Sequence, residues 1–590
     1  MEPSRCRIDF LSLDEPIREN GDWRYAVRYG GRRGSPEGPR YISILKYLGD
    51  ADRVAVPAEL EELPVRELYF RGERTTPFKG RPSVFNDRVR EITLPDGLLD
   101  IGDMAFAGCR SLERVHLPDS VRSVDAFAFA LCSALTELTL PDGIEVLAFS
   151  ALSGCSSLHT LHLPARLRVI CGGALADCTA LRELTLPAGL EELNPLLGGP
   201  ALQALRVEEG NPHFTAEDGV LYDRDKTTLV LYPPERPDRA FRLPDTVRVV
   251  NERVQARHLE ELALPAGLET LSPQAFDLCR ALRTVTIPAD APHFTAVDGV
   301  LYSRDMTRLM LYPAARAARS YRVPDGVTDL RGLPRRAPIA ALHLPDGCRR
   351  LPLCRFAGWD RLEQVRLPAD LPELPKESFR DCAALRRVEL GRCTQLYARF
   401  ENCPALEEIA LPMSSVRYEV RDGALYTRDG RTLLRCLPGR GAEEFTVPEG
   451  VEELAPHAFD HCAALRRVTC PDSLRRVGDM AFVNCAGLEE LRLPPAMEWL
   501  GFGAFMGCAS LRELTIPEGV TVLRPLLFGG CAALTHLSLP ATVREYEGYV
   551  LQSAPALTGV TLRGGRRRWA NRKVLKDGTF PEGLTLRYTV

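Results

Sequence analysis

No stretch of this 590-residue chain approaches the roughly 20 consecutive apolar residues that a membrane-spanning helix needs, and no hydrophobic tail closes it. Membrane insertion is therefore not expected. The opening MEPSRCRIDFLSLDEP has no basic stretch followed by an apolar run, so it does not read as a secretory signal. The expectation is a cytoplasmic protein. The alternative is a cell-surface or secreted protein exported by a route without a recognisable signal. Net charge is close to absent: 75 Lys and Arg against 79 Asp and Glu give −4, which offers no general attraction to nucleic acid or anionic lipid. Histidines number only 10, and no GxSxG elbow, HExxH pair or phosphate-binding loop occurs. No catalytic residue, cofactor-binding residue or metal ligand is assigned, and no cofactor is expected.

What the chain has instead is repetition. Residues 465–540 read LRRVTCPDSLRRVGDMAFVNC, LEELRLPPAMEWLGFGAFMGC and LRELTIPEGVTVLRPLLFGGC, with Pro471, Pro494, Pro517 and Pro540 each 23 residues apart. The unit is LxxLxLPxxLxxLxxxAFxxCxx. A fixed period in this range with leucine at these offsets marks a leucine-rich repeat, in which each coil buries its apolar residues against its neighbours. LxxLxL is expected to form a short strand with alternate leucines inward. Proline then ends the strand, since it removes a donor and fixes φ. AFxxC is expected to form a short helical turn with Phe and Cys facing in. Of 18 cysteines, Cys109, Cys132, Cys155, Cys178, Cys279, Cys382, Cys403, Cys462, Cys485, Cys508 and Cys531 share that slot. A column of single thiols reads as stacked small hydrophobes rather than a disulfide framework.

In chain order, residues 1–56 do not match the unit. Trp23–Tyr29 and Tyr41–Tyr47 partly alternate apolar and polar residues around GGRRGSPEGPR, predicting a β-hairpin cap, with a first degenerate coil beginning near Val54. The solenoid is expected over 57–565, after a longer loop at 71–88. Three related insertions interrupt it at about 209–240, 289–320 and 414–444. They contain HFTAEDGVLYDRDKTTLVLYP, HFTAVDGVLYSRDMTRLMLYP and RYEVRDGALYTRDGRTLLRCLP. Asp-Gly between apolar alternations predicts a hairpin, so each is expected to be a β-ribbon. Residues 566–590 are off-pattern and read as a C-terminal cap ending in a strand. About twenty coils at ~4.8 Å per rung imply a stack on the order of 100 Å.

The combination AFxxCxxLxxLxLPxxLxxL, with the inserted DGVLYxxDxTxLxxYP, resembles the BspA-like, or Treponema pallidum-type, class of leucine-rich repeats over roughly residues 41–565. That resemblance implies an α/β solenoid: a curved right-handed coil with a parallel sheet on the concave face, short helical turns on the convex side, and the three ribbons. It also implies binding to proteins, as in the better-known surface members.

The residues singled out lie on the strand face. Two residues before Pro, His116 and His162 occupy one exposed column with Thr139 between them. Two rungs put them about 10 Å apart, too far to share an ion. Arg366 and Arg492 carry the same column's positive charge. Four before Pro, or before Gly391 standing in for it, the rungs read Arg387, Glu408, Glu444, Arg467, Glu490 and Glu513, and the opposite-charge neighbours Arg387–Glu408 and Arg467–Glu490 contribute ~0.2–1 kcal/mol each. His116, His162, Arg366, Arg387, Arg467 and Arg492 are thus the candidate protein-binding face. His457 and His461, at i and i+4 beside Cys462, have a spacing compatible with zinc but fall in the turn slot, and read as surface histidines flanking a core turn. The function expected is a non-enzymatic interaction module or scaffold that binds a protein ligand. An exported adhesin and an enzyme without a known motif are the alternatives.

Overall fold

The computed structural model describes residues 17–29, 39–69, 83–194, 201–351, 356–392, 395–396, 400–547, 550, 554–565 and 584–589. The hairpin tip at 30–38, most of the 71–88 loop and the basic run Arg566, Arg567, Arg568 lie outside them. Two compact units, Met1–Val300 and Leu301–Val590, each carry a run of coils.

In both units the LxxLxL segment is a short strand in parallel register with the next coil. Glu91–Thr93 pairs with Arg114–His116 in the first unit, and Arg467–Thr469 with Glu490–Arg492 in the second. The middle residue of such a strand points inward: Leu138, Val468 and Leu514 are buried while their strand neighbours are exposed. Proline closes the strand. Its carbonyl then accepts the N–H three residues on, as from Leu474 to Pro471, which makes the turn. The LxxL that follows is also extended. It is a second parallel ladder of two-residue strands, such as Val146–Leu147, Val169–Ile170 and Glu192–Leu193.

Among the described residues the expected helical turns are absent, which corrects the α/β assignment to a β-solenoid. Among the described residues the single helix is a 3-10 turn at Pro438–Arg440. The AFxxC segment places two residues in the left-handed region, one before Ala and one before Cys: His457 and His461, Met480 and Asn484. A right-handed helix cannot pass through such positions. Its N–H groups also bond outward to the following coil: Met104 to Ala126, Phe106 to Ala128 and Gly108 to Ala130, at 3.1, 2.7 and 2.7 Å. A helix would close those bonds on itself. The slot before Cys holds Gly108, Gly154, Asp177, Asn402, Asn484 and Gly507, mostly residue types that tolerate positive φ.

Inside this turn column the phenylalanines stack. Phe106 and Phe129 lie 4.7 Å apart at 7°, and Phe459 and Phe482 lie 4.8 Å apart at 7°. The Cys132 thiol donates to the Phe106 carbonyl at 3.1 Å. Trp359, standing where cysteine is expected, is fully buried and donates its indole N–H to the Arg335 carbonyl at 2.9 Å. It thus keeps the slot's role of coil-to-coil donor with a different atom.

Each ribbon splits the first ladder and joins the second. In the third, Tyr418–Arg421, Ala424–Thr427 and Thr432–Cys436 form an antiparallel meander. The last of these strands then pairs in parallel with Glu453–Leu454, so the ribbon's final strand serves as a rung. Thr228 bridges Val249 in the first ribbon in the same way, and Arg308 bridges Asp329 in the second. At the N-terminus, Ile17–Asn20, Trp23–Tyr29 and Arg40–Tyr47 are antiparallel. Arg40–Tyr47 then pairs in parallel with Leu63–Leu68, leading into the second ladder. At the other end, Thr585–Thr589 pairs in parallel with Gly559–Arg563.

Candidate protein-binding face

The two residues that flank each inward residue of the first ladder form columns on its outer face. In the first unit, His116 lies beside Thr93 and His162 beside Thr139, all exposed. His159, just upstream, bonds through Nδ1 to the Thr160 hydroxyl at 3.0 Å.

The four arginines of the candidate set are in the second unit, and carboxylates on their own or neighbouring rungs meet them. Arg387 Nη1 donates to Glu408 Oε2 at 2.8 Å. Arg366 and Arg387 share Glu389, at 3.8 and 3.6 Å. Arg467 bridges Glu444 at 2.8 Å and Glu490 at 3.0 Å. Glu490 also meets Arg492 at 3.2 Å, but Arg492 keeps 87% of its side chain exposed. The face therefore consists of two ion-paired groups, one around Glu389 and one around Glu490. Salt and solvent screen such exposed pairs, so they order the side chains more than they stabilise the fold.

His457 and His461 are half-buried rather than surface residues. Both ring Nδ1 atoms face Asp460, which is 1% exposed: His457 at 3.5 Å, and His461 in direct hydrogen bond. Asn484 Nδ2 donates to the other nitrogen of His461 at 3.1 Å. The equally buried Arg435 lies 3.6 Å from Asp460 and donates to the carbonyls of His457 and Asp460 at 2.7 and 3.0 Å. The Asn402 N–H completes the carboxylate's shell at 2.8 Å. Burial alone would raise the Asp460 pKa. The two imidazoles, Arg435 and the Asn402 amide outweigh it and hold the group well below the ordinary carboxylate range. Among the described residues, no group of three or more His, Cys, Asp or Glu is placed to hold a metal ion.

Arg387 and Glu408 also wall a cleft of about 790 Å³ beside the third ribbon, with Arg440, Asp422, Leu437 and Phe445 on its other sides. Motif counting passes over these ribbon residues because they lie outside the repeat unit. Setting the three ribbons side by side would have found them, since the third return segment carries smaller residues than the first.

The family model for the BspA type leucine rich repeat region matches residues 83–196, 239–296, 336–426 and 438–558, in six copies. The chain belongs to that family. Among solved structures, this BspA-type chain is similar to a leucine rich cell surface protein from Faecalibacterium prausnitzii. The identity is 20%, with 95% of this chain and 98% of that one covered and a TM-score of 0.29. It is also similar to the leucine rich repeat protein of T. pallidum, at 20% identity, 46% and 90% coverage and a TM-score of 0.19. The pneumococcal vaccine antigen PcpA matches at 15% identity, 98% and 99% coverage and a TM-score of 0.20. No curated protein matches the sequence.

Proposed function

We propose that this BspA-type protein is a non-enzymatic interaction module that binds a protein ligand on its first-ladder face. The observation carrying this reading is the rung-by-rung repetition of one inward apolar residue between two outward ones. It yields columns of imidazole, hydroxyl and ion-paired side chains on an open sheet, and a repeated open surface suits macromolecular recognition better than turnover of a small substrate. His116, His162, Arg366, Arg387, Arg467 and Arg492 are its candidate contacts. The buried Asp460 is committed to Arg435 and two histidines, which favours a structural role.

The reading includes a reducing, cytoplasmic setting, which the free thiols of the turn column support. Cell fractionation tests it: recovery of the protein only outside the cell replaces it with an exported adhesin. The function itself is tested by affinity capture with mass spectrometry, comparing the natural chain with an Arg366→Glu, Arg492→Glu double variant. Partners retained by the first and depleted by the second support the face. Equal retention moves the contact elsewhere on the chain.

A further inference from the structure

The third ribbon departs from the first two at one point, the segment by which it returns to the repeat. Aligned on Pro244 and Pro448, Tyr232, Glu235, Pro237 and Asp238 of the first ribbon correspond to Cys436, Gly439, Gly441 and Ala442 of the third. Four positions carry smaller side chains in the third ribbon, while Leu437 replaces the smaller Pro233 between them. In the first ribbon Tyr232 packs on Phe241, with ring centroids 5.1 Å apart, and in the second Tyr312 packs on Tyr321 at 4.6 Å. In the third no ring stands at 436, and Phe445 instead meets Phe459 of the turn column at 5.4 Å and lines the cleft. The space left is about 790 Å³, opening toward Arg386, Arg387, Glu407 and Glu408 of the preceding coils. The cleft beside the first ribbon, about 380 Å³, lies instead against Arg257, His258 and Glu260 of the coil that follows. Both volumes fall within the range of ligand sites, so what sets the third cleft apart is its lining.

The electrostatics differ in the same way. In the first ribbon Arg236, the counterpart of Arg440, is paired with Asp238, the counterpart of Ala442; in the cleft on the far side of that return segment Glu235 holds Arg257 and His258 at 2.9 Å, and Arg239 meets Glu260 at 3.3 Å. In the third, the Arg386–Glu407 and Arg387–Glu408 pairs line one wall. Two charges remain uncompensated across from them. Arg440 donates through Nε to the Glu407 carbonyl at 3.1 Å, and among the described residues its guanidinium meets no carboxylate. Asp422, at the ribbon's Asp-Gly turn, is exposed and likewise forms no ion pair among them. Leu437 and Phe445 supply a buried apolar floor.

The backbone at this cleft is that of an open sheet. The five-stranded run ending at Glu408–Ala410 stops here, and a separate sheet begins at Glu444–Thr446. In the first ribbon the Gly219 carbonyl takes the N–H of Leu205 on the preceding rung. In the third, the matching Gly423 carbonyl takes Leu437 instead, leaving the outer edge of Glu408–Ala410 without that cover. An open strand edge recognises the backbone of an extended peptide, and flanking pockets select its side chains.

We infer that this cleft is a peptide-docking site: an extended segment of a partner protein lies along the Glu408–Ala410 edge. An acidic side chain of that segment sits on Arg440, a basic one sits against Asp422, and an apolar residue between them rests on Leu437 and Phe445. The inference rests on the interaction reading above and assigns it a place and a ligand class.

The test is to pan a library of short random peptides on the full chain and to measure the affinity of enriched peptides by calorimetry. The proteins compared are the natural chain, Arg440→Glu, Ala442→Tyr, the first-cleft control Arg239→Glu and the face variant Arg492→Glu. Unchanged melting temperatures show which variants remain folded. Support consists of enriched peptides that carry both charges around an apolar residue, weakened about tenfold or more by Arg440→Glu or Ala442→Tyr and unaffected by Arg239→Glu. Peptides that bind but are insensitive to both cleft variants overturn the site, and if Arg492→Glu weakens them the interaction reading stands on the ladder face. No enrichment, together with no captured partner in the pull-down, sinks both.

Discussion

The thiol of Cys485 donates to the main-chain carbonyl of Phe459, one coil earlier, over 3.0 Å. Cys508 does the same to Phe482 and Cys531 to Phe505, each at 3.2 Å. The slot therefore selects for a small, apolar side chain that is also a weak donor, which alanine is not. Cys485→Ala is expected to cost about 1–2 kcal/mol, through the lost bond and a small cavity, and Cys485→Ser less where the hydroxyl reaches the same carbonyl. Urea unfolding of the two variants checks the order. Alanine proving no worse than serine would remove the bond from the explanation.

Burial pushes these thiols up, to about 12 for Cys178, Cys279 and Cys531, from an ordinary value of 9.0. The sign follows from linkage. The unfolded chain releases the protons first, so stability is fully present below pH ~9 and is lost as pH rises from there towards the folded values. The urea midpoint should fall between about pH 8 and pH 10 in the natural chain. It should fall less in a variant with several slot cysteines replaced by serine.

Asp460 and Arg435 are a buried ion pair with both side chains almost wholly enclosed. Asp460→Asn leaves Arg435 charged and uncompensated in the interior, and the expected loss is about 3–5 kcal/mol. Replacing both together, Arg435→Met with Asp460→Leu, should recover most of it, since burial is costly for charges and not for the apolar pair. The folded carboxylate's low pKa makes its contribution present above the ordinary aspartate value and lost as pH falls through the folded one. A double-mutant cycle in urea measures the coupling.

Phe482 lies between Phe459 and Phe505 in the turn-column stack, at 4.8 and 5.7 Å. Phe482→Ala is expected to cost about 3–5 kcal/mol, and Phe482→Leu a smaller amount. Thermal melts distinguish the two. Equal losses would mean that ring geometry, rather than volume, sets the stack.

Leu131 holds φ +63 in the slot where neighbouring coils use Gly108 and Gly154, and its side chain is 37% exposed. An L-residue there is strained by about 1–2 kcal/mol, offset by whatever its surface contacts return. Leu131→Asn, which tolerates this backbone, is expected to raise stability by up to about 1 kcal/mol. A lower melting temperature would show that the contact of Leu131 with the following coil outweighs the strain.

The strand, the proline turn and the inward leucine were legible because each depends on one coil alone: period-2 burial and a fixed φ can be read from a few neighbouring residues. The Cys and Phe columns were legible because the 23-residue period lines them up. The turn itself was misread as helical because AFxxC is short and has helix-compatible residues. What decides against helix is hydrogen bonding to the next coil and two left-handed residues, and only the second leaves a trace in the sequence, in Gly108, Asn484 and Gly507. The Arg435–Asp460 pair was invisible because it joins the end of a ribbon to a turn, 25 residues apart, across a boundary where the period breaks. The candidate arginines lie on first-ladder strands, and their pairing through Glu389 and Glu490 depends on side-chain reach that spacing does not specify.

Each ribbon leaves the chain by one ladder and hands it back through the other, its last strand standing in for a rung. On that side the ribbon's last strand is paired with the coil that follows it, which therefore starts from a rung already in register. A ribbon is in this sense an exchangeable cassette: its tip and return segment can vary in sequence, as Cys436 to Ala442 have done, while the coils on either side keep their register.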